Sequence, residues 1–142
     1  MVDADGLKGV NDSHGHGAGD EVLRHIARAL SGAVRNDDTV CRLGGDEYLV
    51  ISRHTTPEGA QRLAEKLVQA VRELRVPLGP GAIWPGSVSV GVALRQPEMP
   101  QVDALLRAAD LALYEAKRAG RNRFAMAPLT PLTPAGPASG NR

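Results

Sequence analysis

The stretch that most constrains this chain is residues 39–52, where two short runs that favour β structure, Thr39 to Leu43 and Tyr48 to Ser52, are separated only by Gly44-Gly45-Asp46-Glu47. Two glycines in so short a gap predict a hairpin, because glycine reaches the backbone angles that close a tight turn without a Cβ penalty. Two carboxylates therefore share a hairpin tip. Taken alone, this is also the make-up of an ordinary turn with solvated acids, so its meaning depends on what the rest of the chain brings beside it.

Around the hairpin the apolar pattern switches to helical spacing. From Gly19, residues Val22, Leu23, Ile26, Ala27, Leu30 and Val34 mark one face of a helix, with Asp20 and Glu21 in its first turn, where acids suit the macrodipole. Thr56 is placed to cap a second helix, with Pro57 at its first position; Ala60, Leu63, Ala64, Leu67, Val68, Val71 and Leu74 form its inner face, and it ends before Pro77. The proline- and glycine-rich segment 78–86 reads as a loop, and Ser87 to Val92 as a half-buried strand. A third helix spans Gln101 to Ala119, with Gly120 at its C-terminal cap, and Phe124 to Met126 is short enough to be a closing strand. Beyond it, residues 128–142 hold four of the chain's ten prolines, and so little apolar side chain that this tail is expected to stay disordered. The alternation predicts one α/β domain over residues 1–127, opening almost at once on a loop that bears Asp3 and Asp5. An opening strand reduced to Met1 to Ala4 leaves helix faces and backbone donors to be covered by something else.

Composition narrows the partners. With 42% hydrophobic and 23% charged residues among 142, the chain has the balance of one globular domain. Lys and Arg total 17 against 16 Asp and Glu, a net charge of +1, which gives no basis for a nucleic-acid-tracking surface or a membrane patch. Any phosphate has to be met by local groups. No stretch approaches the roughly 18 apolar residues of a membrane span, and the N-terminus lacks the basic start and apolar run of a signal peptide. The single cysteine, Cys41, reads as a small apolar residue in a reducing, cytoplasmic compartment.

Asp3, Asp5, Asp46 and Glu47 converge if the opening strand lies beside the hairpin. Such oxygen donors suit Mg2+ or Mn2+, which accept a few carboxylates and complete their shell with phosphate oxygens and water. Gly44 and Gly45 complement them, since backbone N–H groups without a neighbouring Cβ can approach phosphate closely. His14 and His16 have no Cys or third His nearby to complete a transition-metal set. Trp84, in the proline-rich loop, reads as an anchor to the core.

Several motifs occur in a fixed order: Asp3-Ala4-Asp5-Gly6-Leu7-Lys8, Asn11-Asp12, Gly15-His16, Gly19-Asp20, Arg42 to Tyr48, Ser89-Val90-Gly91, and Ala109 to Lys117 followed by Gly120-Arg121-Asn122. Together they resemble the GGDEF diguanylate cyclase family, from Val2 to about Phe124. The resemblance implies a ferredoxin-like, nucleotidyl-cyclase-type sheet flanked by helices, with the catalytic turn at a hairpin tip. It implies condensation of two GTP molecules into cyclic di-GMP with loss of two pyrophosphates, by a homodimer in which each subunit holds one GTP. In that scheme Asp3, the Ala4 carbonyl, Asp46 and Glu47 serve the metal, with Asp46 also accepting a proton and Glu47 beside it. Asn11 and Asp20 read the guanine edge, His16 is a further substrate contact, Gly44 and Gly45 line the turn, and Lys8, Lys117 and Arg121 hold phosphates. For the last two the alternative is an ordinary basic helix end.

The resemblance further implies an inhibitory product site at Arg35 and Asp38, with Lys66 where an arginine often stands. The alternative there is a helix-end arginine beside a turn acid, and a domain that keeps this site without turnover is a cyclic di-GMP or GTP receptor. Three departures stand out. Tyr48 replaces the usual Phe and brings a hydroxyl that needs a partner. Gly6-Leu7 replaces an aromatic pair. The helix and most of the first strand that family members carry before Asp3 are absent, which sets Asp3 on a frayed end.

Overall fold

The computed structural model describes residues 1–129; the expected tail lies almost wholly outside them. Seven strands and four helices follow in the order β1 (Val2–Ala4), α1 (Leu7–His14), α2 (His16–Ala33), β2 (Thr39–Gly44), β3 (Glu47–Ile51), α3 (Pro57–Arg72), β4 (Arg75–Gly79), β5 (Ala82–Pro85), β6 (Val88–Val92), α4 (Val102–Arg118) and β7 (Arg123–Met126). Five of the strands form one sheet in the order β2-β3-β1-β6-β7. β1 is antiparallel to both neighbours, whereas β6 and β7 run parallel, as a crossover through α4 requires.

The short opening strand is therefore central. Val2 pairs with Tyr48 and Val90, and Asp3 with Glu47 and Ser89. The Met1 ammonium donates to the Gly91 carbonyl at 2.8 Å. Asp3 is not on a frayed end: only 6% of its surface is exposed.

One face of the sheet packs Val2, Tyr48, Val88 and Val90 on Ile26 and Leu30 of α2 and Val68 and Val71 of α3, all buried in one cluster. The other face receives α4. It approaches so closely that a Cβ on Gly91 would fall on the Ala109 carbonyl and the Leu113 backbone. With helices on both faces, residues Val88 to Gly91 are all buried, so the strand expected to be half-buried is nearly inaccessible.

Three further elements differ from expectation. The helix expected from Gly19 begins at His16, and a separate helix, α1, precedes it, joined through Gly15 at φ 84°. α1 buries only Leu7 and Val10, and its Gly9, Asn11, Asp12 and Ser13 gave no helical signal. The segment read as a loop, 78–86, holds the end of β4 and all of β5, a hairpin in which Pro77 pairs with Ile83; proline is tolerated in an isolated two-stranded ribbon. Within it Trp84 is buried and its indole N–H donates to the Asp5 carbonyl at 3.2 Å, the anchoring role expected of it. The second helix ends before Pro77 as expected, at Arg72, so that Leu74, read as part of its inner face, lies just beyond it.

Candidate catalytic site at the hairpin tip

The Gly-Gly turn sits where β2 meets β3, with Gly44 at φ 133° and Gly45 at φ 52° and a register shift between Arg42 and Gly44. The Arg42 guanidinium grips it, donating from Nε and Nη2 to the Gly45 carbonyl at 3.1 and 2.7 Å. Sequence reasoning assigned Arg42 no role. The available signal was an arginine two residues before the first glycine, close enough to reach back over its own turn.

The tip docks on β1. The Ala4 N–H donates to the Asp46 carbonyl at 3.1 Å, and Glu47 lies opposite Asp3 in register, on the same face of the sheet. Asp46 lies close enough to Asp3 to affect the ionisation of Asp3. Burial pushes the Asp3 carboxyl up, its hydrogen bond with Lys117 pulls it down, and the Asp46 carboxylate raises it again; the outcome is about 6, against an ordinary 3.8. Lys117, in the last turn of α4, forms an ion pair with Asp3 Oδ2, while Asp3 Oδ1 is buried without any hydrogen-bond partner.

That orphaned oxygen tests the fit to a divalent cation. A buried carboxylate oxygen beside a second carboxylate is a costly arrangement unless a cation shares it, and hard oxygen donors of this kind are those Mg2+ or Mn2+ take. Among the described residues no three His, Cys, Asp or Glu side chains gather closely enough to hold a metal by themselves. The residues thus fit an ion that completes its shell elsewhere, from a backbone carbonyl, phosphate oxygens and water.

Asp5, grouped with the other three acids in the sequence reading, does not join them. Its oxygens accept from the Ser87 and Ser89 hydroxyls at 2.6 and 2.7 Å.

The candidate nucleotide residues lie on several elements. Lys8 and Asn11 are on α1, and His16 and Asp20 on α2, with Lys8, His16 and Asp20 exposed. Gly19 explains how the two short helices cooperate. A Cβ there would fall on the Asn11 side-chain amide oxygen, so glycine lets Asn11 lie against α2 beside Asp20. Asp20 also lines a cleft of about 390 Å³ between α2 and β2, with Leu23, Arg24, Ser31, Arg42 and Tyr48. Tyr48 is 2% exposed and its hydroxyl donates to the Leu23 carbonyl at 2.7 Å, which supplies the partner its extra oxygen needs. Arg121 lies just past α4, exposed, at φ 61°.

Arg35, Asp38 and Lys66 do come together, around a separate cleft of about 340 Å³ that also takes in Ser52, His54 and Arg62. The Asp38 carboxylate accepts from the Arg35 N–H at 2.9 Å. Burial pushes this carboxyl up, but donation from Arg35 and Ser52 and the Arg35 charge outweigh it and hold it below the ordinary value. Arg62 and His54 were not singled out from sequence, because only the packing of α3 against the segment after β3 brings them here.

Among the described residues no helix is long and apolar enough to cross a membrane. The chain is 35% identical over 126 residues to diguanylate cyclase A of Treponema denticola, covering 89% of this chain and 34% of that protein. It therefore spans about a third of the length of such curated relatives. Its structure resembles the crystal structure of the GGDEF domain of PA1120 from Pseudomonas aeruginosa, with a TM-score of 0.81 at 35% identity, covering 91% of this chain and 80% of that one. It also resembles the GGDEF domain of DgcB from Caulobacter crescentus, solved in complex with c-di-GMP, with a TM-score of 0.78 at 32% identity over 89% of this chain and 74% of that one. The family model for the diguanylate cyclase GGDEF domain matches residues 1–123, a span that includes β1, β2, β3 and β6, and the chain belongs to that family.

Proposed function

We propose that this domain, working as a homodimer, condenses two GTP molecules into cyclic di-GMP and releases two pyrophosphates. In each half-reaction a ribose 3′-oxygen forms a bond to the α-phosphorus of the other nucleotide. The bond from that phosphorus to the β-phosphate bridging oxygen breaks, and the hydroxyl proton leaves to a base. The observation that carries the reading is the buried carboxyl of Asp3, whose Oδ1 has no hydrogen-bond partner and which lies close to Asp46.

A bound Mg2+ or Mn2+ supplies charge neutralisation for the triphosphate. Asp3, Asp46 and the Ala4 carbonyl are the groups to hold it, with Glu47 alongside. Asp46 takes the hydroxyl proton. Asn11 and Asp20 present an amide and a carboxylate to the guanine edge, and His16 adds a contact from the start of α2. The N–H groups of Gly44 and Gly45, with Lys8, Lys117 and Arg121, bind phosphate oxygens; Lys117, held on Asp3, has only to exchange one oxygen anion for another. GTP as substrate and the unpaired Cys41 favour a cytoplasmic setting.

The cleft at Arg35, Asp38 and Lys66 favours a second reading, in which the domain binds cyclic di-GMP there. With turnover, that site is inhibitory; without it, the domain is a receptor. Purified protein incubated with GTP and Mg2+, beside an Asp46→Ala control, decides the matter. Cyclic di-GMP and pyrophosphate are expected from the unmutated chain, with a loss of at least about a hundredfold in the variant. Cyclic di-GMP binding by the unmutated chain without any product would establish the receptor instead.

A further inference from the structure

Asp5 follows Asp3 by two residues, yet the end of β1 turns its carboxylate toward a different set of partners. Oδ2 accepts from the Ser87 hydroxyl at 2.6 Å and the Asn122 N–H at 3.1 Å, and Oδ1 from the Ser89 hydroxyl at 2.7 Å. Both oxygens are occupied, so this acid has no evident vacancy for a metal. Two of the donors belong to β6 and its approach and are fixed by the sheet. The third belongs to the turn between α4 and β7.

That turn is unusual. Arg121 and Asn122 both have left-handed backbones, φ 61° and 50°, which side-chain-bearing residues adopt only where surrounding contacts offset the strain. The contacts converge on Asn122. Asp5 accepts its N–H, and Arg72 of α3 donates to its side-chain oxygen at 3.2 Å and to its carbonyl at 3.0 Å. The Arg121 N–H donates to the Ala116 carbonyl at 3.1 Å. With the backbone thus held, the exposed Arg121 side chain has no partner among the described residues. One helical turn earlier stands Lys117, on Asp3.

We propose that Asp5 is a positioning residue for triphosphate binding. By tying the turn after α4 to the end of β1, its carboxylate presents Arg121 on the same side as the Asp3–Asp46 pair. The proposal rests on the cyclase reading above. It assigns Asp5 to holding a cationic side chain in place, acting through Asn122.

The test is a double-substitution cycle read by binding of 3′-deoxy-GTP with Mg2+, a nucleotide that lacks the attacking hydroxyl. Asp5→Asn leaves one acceptor oxygen for three donors. It is expected to weaken binding about tenfold and to speed amide hydrogen exchange at Asn122 by a similar factor. Arg121→Ala is expected to weaken binding comparably, and the double variant no further than Arg121→Ala alone. Fully additive losses, or unchanged exchange at Asn122, would overturn the role. Should Asp5→Asn fail to fold, Ser89→Ala removes one donor and is expected to give a smaller loss with the same lack of additivity. Failure of the unmutated chain to bind 3′-deoxy-GTP would sink the cyclase reading itself, and this role with it. Binding by the unmutated chain with additive losses would sink the Asp5 role alone.

Discussion

The two faces of the central sheet are built from the same three strands and have opposite characters. On one face Val2, Ala4, Tyr48, Val88 and Val90 are buried with the inner residues of α2 and α3. On the other, the alternate positions carry Asp3, Glu47, Ser89 and Gly91, under α4. A shift of one residue in register would exchange them. The apolar face is held by area and shape, which are collective and forgiving of detail. The polar face is held by individual partners, and Asp3 Oδ1, buried there, has none. The main apolar cluster thus lies on one side of β1 and the acids proposed for the chemistry on the other, a single peptide apart.

The largest expected effect tests the stabilising side. Ile26, fully buried in α2 against the apolar face, should cost about 3–4 kcal/mol of stability on conversion to Ala, through lost burial and a residual cavity. Denaturant titration measures that loss. Cyclic di-GMP formation per folded molecule should be unchanged at a temperature where the variant is still folded. A fall in specific activity comparable to that of a polar-face substitution would break the division between the faces.

A smaller effect of opposite sign is expected across the sheet. The Asp3 carboxyl, at about 6 in the fold against 3.8 ordinarily, binds its proton more tightly folded than unfolded. Its contribution to stability is complete below pH 3.8 and is lost as the pH rises through about 6. In chelator at pH 8, Asp3→Asn should therefore be more stable than the unmutated chain by about 1–3 kcal/mol, while GTP turnover in Mg2+ is abolished. The unmutated chain should regain part of the difference when Mg2+ is added. An Asp3→Asn protein less stable than the unmutated one in chelator would mean that the Lys117 ion pair outweighs the burial of charge.

The contrast between faces also explains what could be read without coordinates. The apolar face was legible because its helices repeat apolar residues over several turns: Val22 to Leu30 and Ala60 to Val71 define α2 and α3 directly. The turn and its acids were legible from glycine chemistry, and the ordered motifs supplied the candidate site residues. What escaped depended on contacts distant in sequence. α1 buries only two side chains, and β4–β5 is written in proline and glycine. Nothing near Asp5 announces that its partners are Ser87, Ser89 and Asn122. Asp3 was expected to fray because a three-residue strand at a terminus normally does; pairing on both sides, visible only in the topology, prevents it.

Tyr48 joins the two sides and provides the smallest and sharpest of these tests. Its ring belongs to the apolar cluster, yet it follows Glu47 directly, and its hydroxyl reaches across to Leu23 of α2, three residues past Asp20. Removing the hydroxyl in Tyr48→Phe leaves the ring in place. The Leu23 carbonyl keeps its donor within the helix, so the variant should lose only about 1 kcal/mol, seen as a small drop in the denaturation midpoint. If the hydroxyl merely satisfies itself against the core, the KM for GTP stays constant and Tyr48 counts with the apolar face. A several-fold rise in KM with little change in kcat would show instead that the hydrogen bond sets the spacing between the hairpin tip and the helix carrying Asp20. The boundary between the two faces would then run through this one side chain.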